Sequence, residues 1–146
     1  MSNKNSIVVC VDFDGTCVTH DYPRVGKDIG ASKVLKKLVE NGHQLILWTM
    51  RCDFGLVPII GNKNDFDDAN YLQHAINWFK ENNIPLYGIQ RNPEQDSWTN
   101  SPKAYAQLYI DDAALGAPLK FDSNIHSRPF IDWVEVEKML FEMGYI

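Results

Sequence analysis

Blocks with two different hydrophobic spacings alternate along the chain. Short apolar runs at residues 7–12 and 44–49 predict strands buried on both faces, and residues 84–90 and 106–111 predict two more strands. In the segments between them, apolar residues recur every three or four positions, which is the spacing of an amphipathic helix. Strands that alternate with helices indicate right-handed crossovers and a parallel sheet. The pattern therefore predicts an α/β protein.

Three helices are predicted from the second spacing. The first lies between residues 31 and 39 and stops at a glycine. The second lies between residues 69 and 79, directly after the acidic stretch 65–68, since acidic side chains favour a helix N-terminus. The third opens at Asp132 with a capping-box pattern. The segments predicted to be irregular are 50–66, 91–102 and 113–130.

Composition and charge narrow the class of protein. With 146 residues, of which 45% are hydrophobic, the chain is expected to form one domain, residues 1–146, around one core. Its net charge of -5 argues against broad electrostatic binding of nucleic acid or of an anionic membrane. The three cysteines lack a metal-ligand spacing, and no segment resembles a signal peptide or a membrane span. These features predict a cytoplasmic protein.

Carboxylates collect where the predicted strands end. Asp12 and Asp14 follow the first strand, and Asp111 and Asp112 end the fourth. The carboxyl ends of parallel strands meet at one edge of a sheet, which is where open α/β sheets bind ligands. Four carboxylates that face one pocket are tolerable only with a cation, and an all-oxygen site suits Mg²⁺. The sequence therefore predicts a magnesium site formed by these four residues.

A cation in this crevice would attract a phosphoryl group, and five further residues are candidates to contact it. Thr49 ends the second strand and Lys103 precedes the fourth; the alternatives are a strand-forming threonine and an ordinary surface lysine. Gly15 allows the backbone to turn close to a ligand, and Thr16 offers hydroxyl and amide donors. Arg51 is a candidate substrate contact, with a surface or ion-paired arginine as an equal alternative. The predicted substrate-binding residues are Gly15, Thr16 and Arg51.

The ordered motifs resemble those of a known superfamily. "DFDGT" at residues 12–16, a threonine after the next strand, a following lysine and "YIDD" at residues 109–112 resemble the four motifs of the haloacid dehalogenase (HAD) superfamily. The resemblance implies a three-layer, Rossmann-like fold with a central parallel sheet and helices on both faces. Each gap between the motifs is already filled by a predicted helix and strand, which leaves no room for a cap domain. The site is therefore expected to be open.

The resemblance also implies a role for each motif residue. Asp12 would be the nucleophile that forms an aspartyl-phosphate, and Asp14 would be the general acid/base, with its backbone carbonyl on Mg²⁺. Thr49 and Lys103 would hold the phosphoryl group. An aspartate at position 14 favours a phosphatase or phosphotransferase, because members that dehalogenate lack it. Asp111 and Asp112 would complete the metal site, and which of them is the direct ligand is left open.

These observations predict a Mg²⁺-dependent phosphatase. Its substrate would be a phosphorylated small molecule or an accessible phosphoester on a larger molecule, and homo-oligomerisation is left open. The alternatives are a phosphatase or phosphotransferase acting on nucleic-acid ends, which the acidic balance disfavours, and a non-catalytic HAD-like binding module. Four residues at the expected mouth of the site have no assigned role: His20, Arg24, Arg91 and Trp98.

Overall fold

The computed structural model describes residues 6–146, with the backbone alone at residue 63. In chain order, its elements are β1 (Val8–Val11), α1 (Ala31–Glu40), β2 (Gln44–Leu47), β3 (Asp53–Ile59), β4 (Asn62–Asn70), α2 (Tyr71–Glu81), β5 (Gly88–Ile89), a 3₁₀ turn (Gln95–Ser97), β6 (Leu108–Ile110), β7 (Leu119–Lys120), β8 (Phe130–Ile131) and α3 (Trp133–Glu142). Helices and strands alternate along most of this order. Four of the strands form the central sheet.

The central sheet is parallel, with the strand order β5-β2-β1-β6. β1 lies between β2 and β6, and its last residue, Val11, is paired with Leu47 on one side and Ile110 on the other. The segments that follow these three strands therefore emerge at the same edge of the sheet. The predicted α/β fold with a central parallel sheet flanked by helices is confirmed, and it is compatible with a Rossmann-like three-layer arrangement.

The two faces of the sheet are covered differently. Side chains of all three helices share one buried cluster with Val9 and Val11 of β1. Cys10 points to the opposite face, where it packs with Ile46 and Ala104 in a smaller cluster. The chain must cross from β5 over two strands to reach β6, and a right-handed crossover in that direction runs over this second face. The segment between β5 and β6, with its 3₁₀ turn, therefore forms the third layer.

A β-hairpin replaces the first of the predicted irregular segments. β3 and β4 pair antiparallel, with Ile59 opposite Asn62, so that Ile60 and Gly61 form the turn. Gly61 adopts a φ of 89°, which suits a tight hairpin turn. The acidic stretch 65–68 belongs to β4 and does not begin the second helix as predicted, since α2 starts at Tyr71. The other two predicted irregular segments contain only the 3₁₀ turn, β7 and the first residue of β8 as regular structure.

The predicted N-cap of the third helix at Asp132 is confirmed, but the return bond of the capping box does not form, because the Asp132 N–H donates to the carbonyl oxygen of Pro118 at 2.9 Å. Asp132 Oδ1 accepts hydrogen bonds from the backbone N–H groups of Val134 at 3.1 Å and Glu135 at 3.3 Å. These N–H groups have no partner within the helix, so the aspartate satisfies them. The cap fixes the start of α3, which packs against the loop that follows β1.

Two structural facts bear on the surroundings of the protein. Cys10, Cys17 and Cys52 are all free thiols, as expected for a chain without a disulfide framework. Within residues 6–146, no helix combines the length and apolar character needed to cross a membrane.

Candidate functional site

Three carboxylates meet at the carboxyl edge of the central sheet. Asp12 directly follows β1, Asp111 and Asp112 directly follow β6, and one oxygen from each lies within 4.8 Å of the others. The register of the adjacent parallel strands explains this meeting, because Val11 is paired with Ile110. We refer to Asp12, Asp111 and Asp112 as the aspartate cluster. It brings together three of the four predicted metal-binding side chains.

A buried threonine orients two of these carboxylates. Thr16 Oγ1 lies 2.9 Å from Asp12 Oδ2 and 3.2 Å from Asp112 Oδ1. The same oxygen accepts a hydrogen bond of 3.0 Å from the backbone N–H of Asp112. Thr16 is fully buried, so its hydroxyl binds the protein's own carboxylates and is closed to a ligand. The structure thus gives the Thr16 side chain a different role from the predicted substrate contact.

Burial and a neighbouring carboxylate disfavour ionisation of Asp12. Desolvation of the carboxylate, followed by the nearby charge of Asp111, raises the pKa of Asp12 to about 8, and the hydrogen bond from Thr16 acts in the opposite direction. Within the part of the chain that the structure describes, no lysine or arginine pairs with Asp12 or Asp111. A set of carboxylate oxygens without a cationic side chain fits a hard divalent cation such as Mg²⁺.

Gly15 permits a close approach that any other residue would block. Its φ is 79°, and a Cβ atom at this position would lie 2.1 Å from His20 Cε1 and 2.7 Å from Asp112 Oδ2. Its N–H donates to the carbonyl oxygen of Val18 at 2.7 Å, and the N–H of Thr16 donates to Phe13 at 3.1 Å. Both amides therefore hold the loop together. The Thr16 N–H, predicted to donate to a phosphate, is already engaged within the loop.

Asp14 faces Arg51 and contributes no side-chain oxygen to the aspartate cluster. Arg51 Nε donates to Asp14 Oδ2 at 2.8 Å, and Arg51 Nη2 donates to Asp14 Oδ1 at 2.7 Å. Arg51 is only 2% exposed, and its remaining N–H groups donate to backbone carbonyls. No donor is left for a phosphate, so the ion-paired alternative, and not the predicted substrate contact, describes Arg51.

Thr49 is braced by a residue at the end of β5. Its backbone N–H donates to Gln90 Oε1 at 2.9 Å, and its hydroxyl oxygen accepts from the N–H of Arg51 at 3.2 Å. The Gln90 amide also donates to the carbonyl oxygens of Thr49 and, at 3.1 Å, of Arg51. The hydroxyl proton of Thr49 has no acceptor among the described residues, so it is the group that Thr49 can offer to a ligand.

Lys103 lies apart from the aspartate cluster. Its side chain is exposed, and Nζ sits 5.4 Å from the centre of the Tyr109 ring. Among residues 6–146 it forms no ion pair with a carboxylate of the cluster. The predicted contact between Lys103 and a phosphoryl group remains a prediction.

One solved structure matches this chain over almost its whole length. No protein-family model matches it, and no curated protein does. Among solved structures, a conserved protein from Bacteroides thetaiotaomicron is 30% identical, with a TM-score of 0.67. The match covers 95% of this chain and 93% of that one. The two chains belong to one family. The similarity between these two proteins therefore extends over the whole fold and is not confined to one motif.

Of the four residues expected at the mouth, only His20 adjoins the aspartate cluster. His20 Nε2 lies 3.3 Å from Asp112 Oδ2 and 3.2 Å from the carbonyl oxygen of Pro129. The others have partners on the surface: Arg24 pairs with Asp21, Arg91 with Asp96, and Trp98 with Tyr105.

Sequence reasoning missed the supports that lie outside the motifs. Gln90 and Trp133 each bind a motif residue, and His20, expected at the mouth without an assigned role, binds Asp112. The position of Gln90 could have been predicted. It is a polar residue at the end of a predicted parallel strand, and such residues lie at the same edge of the sheet as Thr49.

Proposed function

We propose that the protein is a Mg²⁺-dependent phosphatase of the HAD type that hydrolyses phosphomonoesters, with Asp12 as the nucleophile. The observation that carries this proposal is the aspartate cluster, with oxygens within 4.8 Å of one another at the carboxyl edge of a parallel sheet. An unneutralised cluster of this kind is costly, and its position is the usual ligand-binding edge of an α/β sheet. The order of the motifs along the chain supports the same activity.

The residues that would hold the ion are Asp12, Asp111 and Asp112, together with the backbone carbonyl of Asp14. All of these are oxygen donors, as Mg²⁺ prefers. The bound ion would supply positive charge that offsets the charge of the phosphoryl oxygens. The raised pKa of Asp12, about 8 without a cation, is consistent with a carboxylate that requires a positive neighbour to ionise fully at neutral pH.

In the proposed reaction, an oxygen of Asp12 forms a bond to phosphorus as the bond from phosphorus to the leaving oxygen breaks. Asp14 gives a proton to that leaving oxygen, which departs as an alcohol. A water oxygen then bonds to phosphorus, the bond from phosphorus to Asp12 breaks, and Asp14 takes a proton from the water. The products are the alcohol and inorganic phosphate, and both aspartates return to their starting state.

Two further residues complete the proposed reaction centre. The Thr49 hydroxyl would donate to a phosphoryl oxygen through its available proton. Lys103 would leave the face of Tyr109 and place Nζ against the phosphoryl group. The Lys103 side chain is exposed and lies against the ring of Tyr109, two positions before Asp111, and this supports the movement.

The proposed substrate is a phosphorylated small molecule or an accessible phosphoester on a larger molecule, in the cytoplasm. A net charge of -5 disfavours a polyanionic nucleic-acid substrate. The hairpin of β3 and β4 begins two residues after Arg51, so it and the segment 17–30, or a second copy of the chain, are the proposed sources of selectivity.

The test is phosphate release from a panel of phosphorylated metabolites and aryl phosphates, with Mg²⁺ and with EDTA. We expect activity that EDTA abolishes, and a loss of about a thousandfold or more in Asp12→Asn. Asp96→Asn is the matched control, because Asp96 is exposed and pairs with Arg91 outside the aspartate cluster and the hairpin. EDTA-sensitive activity of normal size in Asp12→Asn would contradict the proposal.

A further inference from the structure

We infer that Arg51 is the positioning residue for Asp14, and that it acts at the step in which water breaks the bond between phosphorus and Asp12. The inference rests on the proposed function, since it assigns a residue to one step of that reaction. Its basis is the paired contact of the two side chains, with Nε and Nη2 of Arg51 at 2.8 and 2.7 Å from the two oxygens of Asp14. Two parallel N–H bonds fix the plane of a carboxylate as well as its position.

Arg51 also joins Asp14 to two other parts of the chain. Its Nη1 donates to the carbonyl oxygens of Pro23 and Tyr71, both at 3.1 Å, and its Nη2 donates to that of Arg24 at 2.7 Å. A guanidinium has five N–H donors, and all five are engaged. The segment after the nucleophile loop and the start of α2 are therefore held in fixed relation to the Asp14 carboxylate.

Packing around the guanidinium makes this arrangement rigid. The Arg51 Cζ atom lies 5.0 Å from the centre of the Phe13 ring and 5.2 Å from that of the Tyr22 ring. A cation over aromatic rings is favoured electrostatically, and Phe13 lies between Asp12 and Asp14 in the sequence, so this contact connects the arginine to the nucleophile loop. A buried arginine with every donor satisfied has little freedom to leave.

The geometry leaves Asp14 able to accept a proton from water. A carboxylate has about four lone-pair positions, and Arg51 occupies one on each oxygen. The Asp14 side chain remains 20% exposed, so water can reach the other positions. Arg51 thereby holds Asp14 as an oriented base, the form required when water attacks the aspartyl-phosphate.

The experiment separates the two chemical steps with an activated aryl phosphate, whose leaving group departs without a donated proton. Each enzyme is mixed with this ester and Mg²⁺ and quenched in acid, and the phosphoryl group on Asp12 is measured by peptide mass spectrometry. In Arg51→Lys, the lysine keeps the charge but cannot bind both oxygens of Asp14. We expect release of the aryl group to change little, and hydrolysis of the aspartyl-phosphate to slow at least about tenfold, so that phosphorylated Asp12 accumulates.

The controls address folding and charge. Arg128→Lys makes the same change at an exposed arginine that contacts neither Asp14 nor Arg51, and it should leave both steps unchanged. Asp14→Asn should accumulate the same phosphorylated species, and Arg51→Lys added to it should change the rates less than about twofold, because the contact is already lost. Thermal unfolding establishes that each variant is folded. Arg51→Lys keeps a positive charge beside Asp14, which an apolar replacement would remove.

Two results would overturn the inference alone. One is equal slowing of both steps in Arg51→Lys, which is what general damage to the fold would produce. The other is full additivity of Arg51→Lys and Asp14→Asn in the rate of hydrolysis of the aspartyl-phosphate. If wild-type protein never carries a phosphoryl group on Asp12, the proposed function itself is wrong, and the inference fails with it.

Discussion

The indole Nε1 of Trp133 donates a hydrogen bond of 2.6 Å to the backbone carbonyl oxygen of Thr16, which lies 117 positions earlier in the chain. Next to it, the N–H of Ile131 donates to the carbonyl oxygen of Gly15 at 3.0 Å. The loop that orients the aspartate cluster is thus supported from β8 and the first residue of α3. The C-terminal part of the chain, which lies outside the HAD-like motifs, therefore contributes to the site.

Trp133→Phe tests this support. The change keeps an aromatic ring in the buried position but leaves the Thr16 carbonyl without its donor, so we expect a loss of about 1–3 kcal/mol in the free energy of unfolding. Urea denaturation measures it. Val134→Ala, at a residue 64% exposed on the same helix, should change the free energy little. Similar values for the two variants would show that the indole hydrogen bond is unimportant.

Alanine substitutions at two glycines distinguish the stability cost of backbone strain from that of steric conflict. Gly15 and Gly116 both have positive φ, 79° and 87°, but a Cβ atom meets His20 and Asp112 only at Gly15 and meets nothing within 4 Å at Gly116. We expect Gly116→Ala to cost about 1 kcal/mol, from strain alone. Gly15→Ala should cost clearly more and should also weaken Mg²⁺ binding, measured by calorimetry, because Asp112 must move. Equal costs at the two positions would argue against the close packing around Gly15.

The pH dependence of the free energy of unfolding should show the raised pKa of Asp12. Its pKa is raised from 3.8 to about 8 on folding, so between these values the folded, metal-free protein binds a proton that the unfolded chain has released. Stability must then fall as pH rises from about 4 to 8. In Asp12→Asn this contribution is absent, and we expect the variant to exceed metal-free wild type by more than about 1 kcal/mol at pH 8 and to match it near pH 4.

Urea titrations of both proteins across this pH range, in EDTA, make the comparison. A second arm adds Mg²⁺, which should stabilise wild type more at pH 8 than at pH 5, because protons compete with the ion for the carboxylate. Mg²⁺ should stabilise Asp12→Asn less than wild type at both pH values. Parallel stability curves for the two metal-free proteins would mean that the pKa of Asp12 is not raised.

The role proposed for Lys103 has a direct test. Lys103→Met should lower kcat at least about tenfold while leaving the thermal midpoint nearly unchanged, since the lysine side chain is exposed and lies over the Tyr109 ring. Lys120→Met, at another exposed lysine, is the control. Normal kcat in Lys103→Met would remove this lysine from the proposed mechanism and leave it as a surface residue.

The aspartate cluster could be predicted because it depends on local signals and one general rule. Short apolar runs mark β1 and β6, and parallel strands place their carboxyl ends at a common edge. Asp12 and Asp111 each come directly after such a run, so their meeting did not require knowledge of any side-chain contact.

The contact of Asp14 with Arg51 could not be predicted in this way. The two residues are 37 positions apart, and a carboxylate at a strand end gives no sign of whether it turns toward a metal or toward an arginine. The hairpin was missed for a related reason. Its strands contain Gly55 and Pro58 as well as a run of aspartates, so they lack the alternation of apolar and polar residues that indicates a strand.

The position of β6 at the edge of the sheet has a consequence for local unfolding. Within residues 6–146, β6 pairs only with β1, whereas β1 pairs with both β2 and β6. Asp111 and Asp112 therefore follow an edge strand, and Asp12 follows a central strand. Detachment of Leu108–Ile110 would carry Asp111 and Asp112 away from Asp12. An ion shared by the three carboxylates would oppose this detachment, so amide hydrogen exchange in β6 should slow when Mg²⁺ is added while exchange in β1 changes little. Binding of Mg²⁺ would then determine how often β6 separates from the sheet.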